Sequence, residues 1–206
     1  MEFRNSRTVV TALVCTLAVT LTACNMRVEK GEDGKEKKVD IATPLGGLKV
    51  RTDNVDARDT GLKVYPNSRL KPGEHNQDND KAKANVDINT PFFNLKVVAV
   101  TYLTDDPPEK VLAFYRDDIK RFGNTVECNP AGKGEKKENH DLSAPVSCEG
   151  DGIHVKTGGD KLEGAIELKA GTNGNQRVVA VKPDGKGSEF SLVYLRMNKG
   201  EAEDSI

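Results

Sequence analysis

The chain has 206 residues, of which 36% are apolar and 31% charged, with no Trp and a formal net charge of -1. Its 31 Lys and Arg against 32 Asp and Glu leave no global excess to draw in nucleic acid or anionic lipid, and 19 Gly with 9 Pro exclude a collagen-like or Pro-rich rod. One modest domain fits these numbers, with part of the chain left outside any packed core.

At the N-terminus, Arg4 and Arg7 precede a mainly apolar run from Val9 to Leu21. A basic start, a short apolar stretch and small residues before a cut are the marks of a secretory signal peptide, and the run is too short to span a bilayer comfortably. Residues 1–23 are therefore expected to be removed. The segment ends Leu21-Thr22-Ala23-Cys24, which resembles the lipobox of bacterial lipoproteins. The resemblance implies a diacylglyceryl group on the Cys24 thiol, cleavage before that residue, and acylation of the new amine, for instance by palmitate. Asn25 rather than Asp follows, which in enteric bacteria favours sorting to the outer membrane with the domain facing the periplasm. The competing reading is an uncleaved signal anchor, or a secreted chain with a chance Cys.

Cys15 would leave with the signal peptide and Cys24 would be lipidated, so Cys128 and Cys148 remain to form one disulfide. An envelope compartment is oxidising enough to keep it, and closing a loop of this length stabilises by about 3 kcal/mol in the chain-entropy model. The enclosed Gly132-Lys133-Gly134-Glu135-Lys136-Lys137-Glu138-Asn139 reads as a solvated loop.

Residues 24–38 are expected to be a flexible tether, because Glu29 to Lys38 is almost all charge and Gly. An internal repeat follows. Val39-Asp40-Ile41-Ala42-Thr43-Pro44-Leu45-Gly46-Gly47-Leu48-Lys49-Val50 matches Val86-Asp87-Ile88-Asn89-Thr90-Pro91-Phe92-Phe93-Asn94-Leu95-Lys96-Val97 at eight of twelve positions. Alternating apolar residues around Thr-Pro suggest two extended segments joined by a bend, and Gly61-Leu62-Lys63-Val64 repeats only the tail. Two copies cannot make a solenoid. They are read first as a duplicated turn within one fold, and second with the first copy as a detachable edge segment that pairs with a sheet, its own or a partner's.

Leu95 to Leu103 is apolar on nearly both faces and β-branched, as a central strand should be. A helix is predicted next: Asp105 or Asp106 as N-cap, Pro107 in the first turn, Gly123 at the end, and Val111, Leu112, Phe114, Tyr115, Ile119 and Phe122 along one stripe. The rest predicts a meander over 153–157, 162–170, 176–182 and 188–197. Its turns are expected at Gly158-Gly159-Asp160, Asn173-Gly174 and Pro183 to Gly187, and the last two strands pair mid-sheet. The expected fold class is α+β, an antiparallel sheet with one main helix packed on one face and an extended N-terminal arm. The domain would cover 39–197, with 39–66 as the possible arm and 198–206 as a frayed tail.

Gly61-Leu62-Lys63-Val64-Tyr65-Pro66-Asn67-Ser68 and Asp106-Pro107-Pro108-Glu109-Lys110-Val111-Leu112-Ala113-Phe114-Tyr115 resemble motifs of a group of uncharacterised bacterial envelope lipoproteins, over roughly residues 39–128. The resemblance implies a compact α+β domain and transfers no catalytic residue.

Motifs for chemistry are absent. His75, His140 and His154 lie in different segments without metal-ligand spacing, and no Gly-x-Ser-x-Gly, Ser-x-x-Lys or phosphate-binding Gly-rich loop occurs. Asn76-Gln77-Asp78-Asn79-Asp80 offers oxygens at alternate positions, but Lys81 follows where a calcium loop needs its Gly and Glu. No metal, cofactor or nucleic acid is expected. The leading expectation is a non-catalytic, lipid-anchored interaction module with an envelope protein partner; a carrier or sensor of a small apolar ligand comes second, and an unrecognised hydrolase third.

Overall fold

The computed structural model describes residues 24–30, 36–72, 82–129, 141–148 and 165–200. Strands β1 (Asn25–Lys30), β2 (Glu36–Thr43), β3 (Gly46–Arg51), β4 (Arg69–Leu70), β5 (Lys83–Asn89) and β6 (Phe93–Thr104) precede the helix α1 (Pro108–Asp118). After it come β7 (Thr125–Cys128), β8 (Ile166–Thr172), β9 (Asn175–Asp184) and β10 (Gly187–Lys199). All ten strands form one antiparallel sheet in the order β1-β2-β3-β5-β6-β10-β9-β8-β7, and β4 extends the β6 edge past the end of β5.

The strong β-formers sit in the middle, as their two-sided apolar pattern requires. β10 pairs with β6 from Ser188↔Thr104 to Lys199↔Phe93, and with β9 from Gly187↔Asp184 to Arg196↔Asn175. The predicted strand 95–103 lies wholly within β6, and the expected pairing of the last two strands is observed as β9 with β10. Of the C-terminal meander, 166–170 of the predicted strand 162–170 falls in β8, which runs on to Thr172, while 162–164 and 153–157 lie outside the described residues.

One apolar cluster joins Val98, Val100 and Tyr102 of β6, Phe190 and Leu192 of β10, Val179 and Val181 of β9, and Leu168 and Ala170 of β8. Val111, Leu112 and Tyr115 of α1, Ile119 just after it, and Val55, Ala57, Leu62 and Tyr65 complete it. Phe190, fully buried, is the hub: its ring stacks on Tyr102 at 5.5 Å and lies 5.7 Å from Tyr115 and 6.1 Å from Tyr65. At one margin of the core the Arg177 guanidinium lies over the Tyr194 ring at 3.8 Å and the Phe122 ring at 4.7 Å, and donates to the Thr60 carbonyl at 2.6 Å.

The helix begins at Pro108 with Pro107 as N-cap, so neither Asp105 nor Asp106 caps it. It tightens into a 3-10 turn at Ile119–Phe122 and stops at Gly123, whose φ of 109° suits glycine. Cys128 and Cys148 form a disulfide with Cα atoms 5.4 Å apart. The segment before Cys148 runs beside β8, where Val146 N–H donates to the Gly171 carbonyl at 3.1 Å.

The expected tether is corrected by the structure: residues 25–30 are strand β1 and 36–38 begin β2, while 31–35 lie outside the described residues. Pairing outweighs the charged composition because Met26 and Val28 face Ile41 and Val39, and Lys38 Nζ bonds Glu29 Oε2 at 3.0 Å. The expected tail is corrected at its start, since Asn198 and Lys199 belong to β10; 201–206 lie outside the described residues.

Replacing Phe190 by Ala removes the ring around which three tyrosines are arranged, and is expected to cost about 3–5 kcal/mol in urea unfolding. A cost below about 1 kcal/mol would place the centre of the core elsewhere.

Candidate functional site

Cys24 is exposed and directly precedes β1. The register of five successive pairings puts Asn25, Ala42, Gly47, Asn89, Asn94 and Asn198 in one row across six strands. Cys24 lies one residue outside that row. So do the two copies of the repeat's bend, which form the successive hairpin turns β2–β3 and β5–β6 and stand side by side because β3 pairs with β5.

Each turn is built by its Thr. Thr43 Oγ1 accepts from Leu45 N at 3.3 Å and donates to the Gly46 carbonyl at 2.9 Å. Thr90 Oγ1 accepts from Phe92 N at 3.3 Å and Phe93 N at 3.0 Å, and donates to the Phe93 carbonyl at 2.8 Å. Gly46 has φ of 137°, and a Cβ there would run into the Asn89 carbonyl, so the first turn needs glycine to approach the second. The residue after each Pro is thereby held outward: Leu45 is 74% exposed and Phe92 65%, with Phe93 next to it at 39%; Met26 of β1 is 65% exposed.

Behind the first row, the strands alternate by face. Met26, Ile41, Leu48, Ile88, Leu95 and Met197 form an apolar row; two residues further on, Val28, Val39, Val50, Val86, Val97 and Leu195 form a second on the same face. Most of these side chains are half-buried. Between them, on the other face, runs Arg27, Asp40, Lys49, Asp87, Lys96 and Arg196, four cations to two carboxylates. Lys49 Nζ lies 3.8 Å from Asp40 and Arg51 4.0 Å from Asp87. A groove of about 410 Å³ opens there, lined among others by Lys49, Arg51, Asp87, Asn94, Lys96 and Arg196.

The two motifs that carry the resemblance are brought together. Tyr65 Oη donates to Asp106 Oδ2 at 3.0 Å, Lys110 Nζ bonds Asp106 Oδ1 at 2.8 Å, and the Tyr65 and Phe114 rings meet edge-on at 5.3 Å. Lys63 is held at both backbone groups: its N–H donates to the buried Asp118 at 3.0 Å and its carbonyl accepts from Tyr115 Oη at 3.0 Å. Tyr65 on Asp106 and Phe114, and Lys63 on Asp118 and Tyr115, dock the 61–68 segment on the helix and its approach, while Lys110 braces Asp106 from within the second motif, so the motifs are explained as packing. The repeated fragment 61–64 is not a strand.

A polar cluster that the sequence did not announce lies on the sheet face opposite the aromatic core. Lys169 Nζ is 3.2 Å from Glu167, both side chains fully buried, and Glu189 Oε2 is 2.9 Å from Lys71 Nζ and 3.3 Å from Lys182 Nζ. Ser191 Oγ and Thr101 Oγ1 share a hydrogen bond of 2.8 Å, hydroxyl to hydroxyl, with no base in it. The strand Ile166-Glu167-Leu168-Lys169-Ala170 reads locally as apolar-in, charged-out, and no local signal reveals that both faces are buried.

Among the described residues, no group of three or more His, Cys, Asp or Glu could hold a metal, and no helix is long and apolar enough to cross a membrane. His75, His140, His154, the 76–80 cluster, the 132–139 loop and residues 1–23 lie outside the described residues. No family model, no curated protein and no solved structure matches the chain.

The Lys110 ammonium, and after it the Tyr65 hydroxyl, hold the Asp106 carboxyl below the usual carboxylate range. A depressed folded value lends stability that is present above the unfolded value of about 3.9 and is lost as pH falls through the folded one. Asp106→Asn should therefore flatten the acid limb of a Tm-against-pH curve between those two values. An unchanged limb would mean that the contact carries no net linkage.

Proposed function

We propose that the chain is a bacterial lipoprotein, acylated at Cys24 and held at the outer membrane facing the periplasm, whose folded part is a non-catalytic interaction module for another envelope protein. The observation that carries this reading is the position of Cys24: exposed, at the start of an edge strand, and preceded in sequence by a basic start, an apolar run and Leu-Thr-Ala. One acyl chain binds a membrane only marginally and two or three bind stably, so the full lipobox modification is what this reading needs.

The interaction surface favoured is the outer edge of β1, because among the described residues no strand pairs with it. Its backbone can accept an added strand, while Arg27, Glu29 and Lys30 guard it against indiscriminate pairing. The first repeat copy is a poorer candidate, since β2 and β3 are each paired on both sides. For the fold, we read α1 as lying against one face of the sheet, supported by the single cluster that Val111, Leu112 and Tyr115 share with β6 and β8 to β10. The two half-buried apolar rows favour a second reading, an apolar ligand carried on that sheet face, which native mass spectrometry would detect as a bound mass.

In-cell crosslinking beside a Cys24→Ser control tests the leading reading. Acyl-modified Cys24, membrane fractionation and an envelope protein captured only by the acylated form are expected. A free Cys24 thiol in a released protein would overturn the anchor, and equal capture by the control would overturn the dependence of the interaction on it.

A further inference from the structure

We infer that the end of the sheet formed by the two Thr-Pro turns is a membrane-docking rim, which rests flat on the surface of a bilayer containing anionic phospholipids. This rests on the reading of Cys24 as the acylated residue.

Three independent features point the same way. First, Leu45, Phe92 and Phe93 are large exposed apolar side chains of the two turns, and each turn is locked by its Thr hydroxyl, so they are displayed at fixed positions rather than free to fold back. The turn at the opposite end, between β9 and β10, is Asp184-Gly185-Lys186, with no apolar side chain. Second, the depth is right. Leu45 lies two residues beyond the row that Asn25 and Gly47 occupy, about 7 Å at strand rise, and an apolar group buried about 5–10 Å reaches the boundary of headgroups and acyl chains. Cys24, one residue beyond that row, would enter the same interface, so anchor and rim meet the bilayer together. Third, Arg27, Lys49, Lys96 and Arg196 against Asp40 and Asp87 place a local cationic surplus about 7 Å behind the row, within about one Debye length of the headgroups. The groove lined by Lys49, Arg51, Lys96 and Arg196 opens on that face. An anionic surface thus meets attraction here although the whole chain is almost neutral.

Docking of this kind fixes orientation. A lipid on Cys24 alone leaves the domain free to swing, whereas rim contact would stand the strands upright and hold the β1 edge at constant height above the membrane.

The chain has no Trp, so Phe92→Trp and Leu45→Trp are each a single reporter, with Lys186→Trp at the far end as control. The full-length protein is expressed so that export and acylation proceed, then reconstituted in phosphatidylethanolamine vesicles with and without phosphatidylglycerol. A blue shift and quenching by brominated lipid are expected for Phe92→Trp and Leu45→Trp, more strongly with phosphatidylglycerol, and neither for Lys186→Trp. In the Cys24→Ser protein freed of residues 1–23, Leu45→Glu with Phe92→Glu should lower the vesicle-bound fraction by about tenfold or more, since immersing one such side chain is worth about a factor of ten. Acylated, membrane-bound protein whose Phe92→Trp reporter stays unquenched would overturn the rim and leave the anchor standing. Quenching in the Cys24→Ser protein, together with an unmodified Cys24 in cells, would uphold the rim and overturn the anchor.

Discussion

The continuous pairing of β10 with β6 on one side and β9 on the other is the centre from which the sheet extends both ways. Because facing residues in an antiparallel ladder share a face, this one register decides which side chains meet the aromatic core and which line the opposite surface. A slip of one residue would turn Phe190 and Leu192 away from Tyr102 and Val100, and turn Glu189 and Ser191 into the apolar cluster. The long ladder also divides the sheet. β8, β9 and β10 are buried over most of both faces, whereas β1, β2, β3 and β5 form a wing with an apolar and a charged side.

The wing is where duplication has its effect. Two copies of one bend give two adjacent hairpins, each locked by a Thr hydroxyl, and the β3–β5 pairing brings their tips level. β1 adds its start to the same end, and with it Cys24. Cys24, the proposed site of lipid attachment, and the exposed Leu45 and Phe92 thus fall at one end, and the edge of β1 that no described strand pairs with runs away from it. The proposed anchor, the proposed docking rim and the proposed partner edge are three consequences of one register.

Local signals made some of this legible in the sequence. Pro107, Pro108 and Gly123 bracket the helix, the β-branched run 95–103 announces β6, and Cys128 and Cys148 pair as expected. Non-local facts were not legible. β1 has only Met26 and Val28 to offer against Arg27, Glu29 and Lys30, and it is β2 that makes it a strand. Glu167 and Lys169 alternate with apolar residues as if facing water, and only the assembled sheet buries them. Likewise the repeat was visible as a pattern, but the levelling of its two tips beside Cys24 depends on pairings across five strands.

A distance across that row tests the account most directly. In a Cys15→Ser, Cys24→Ser background, spin labels at Asn25→Cys and Asn198→Cys would stand at the two ends of the row, five strand spacings apart. Pulsed electron paramagnetic resonance should give one narrow distribution centred near about 24 Å, five times the usual interstrand spacing. A broad distribution, or one centred beyond about 40 Å, would mean that residues 25–30 are a tether after all, and that Cys24 and the turn tips share no rim.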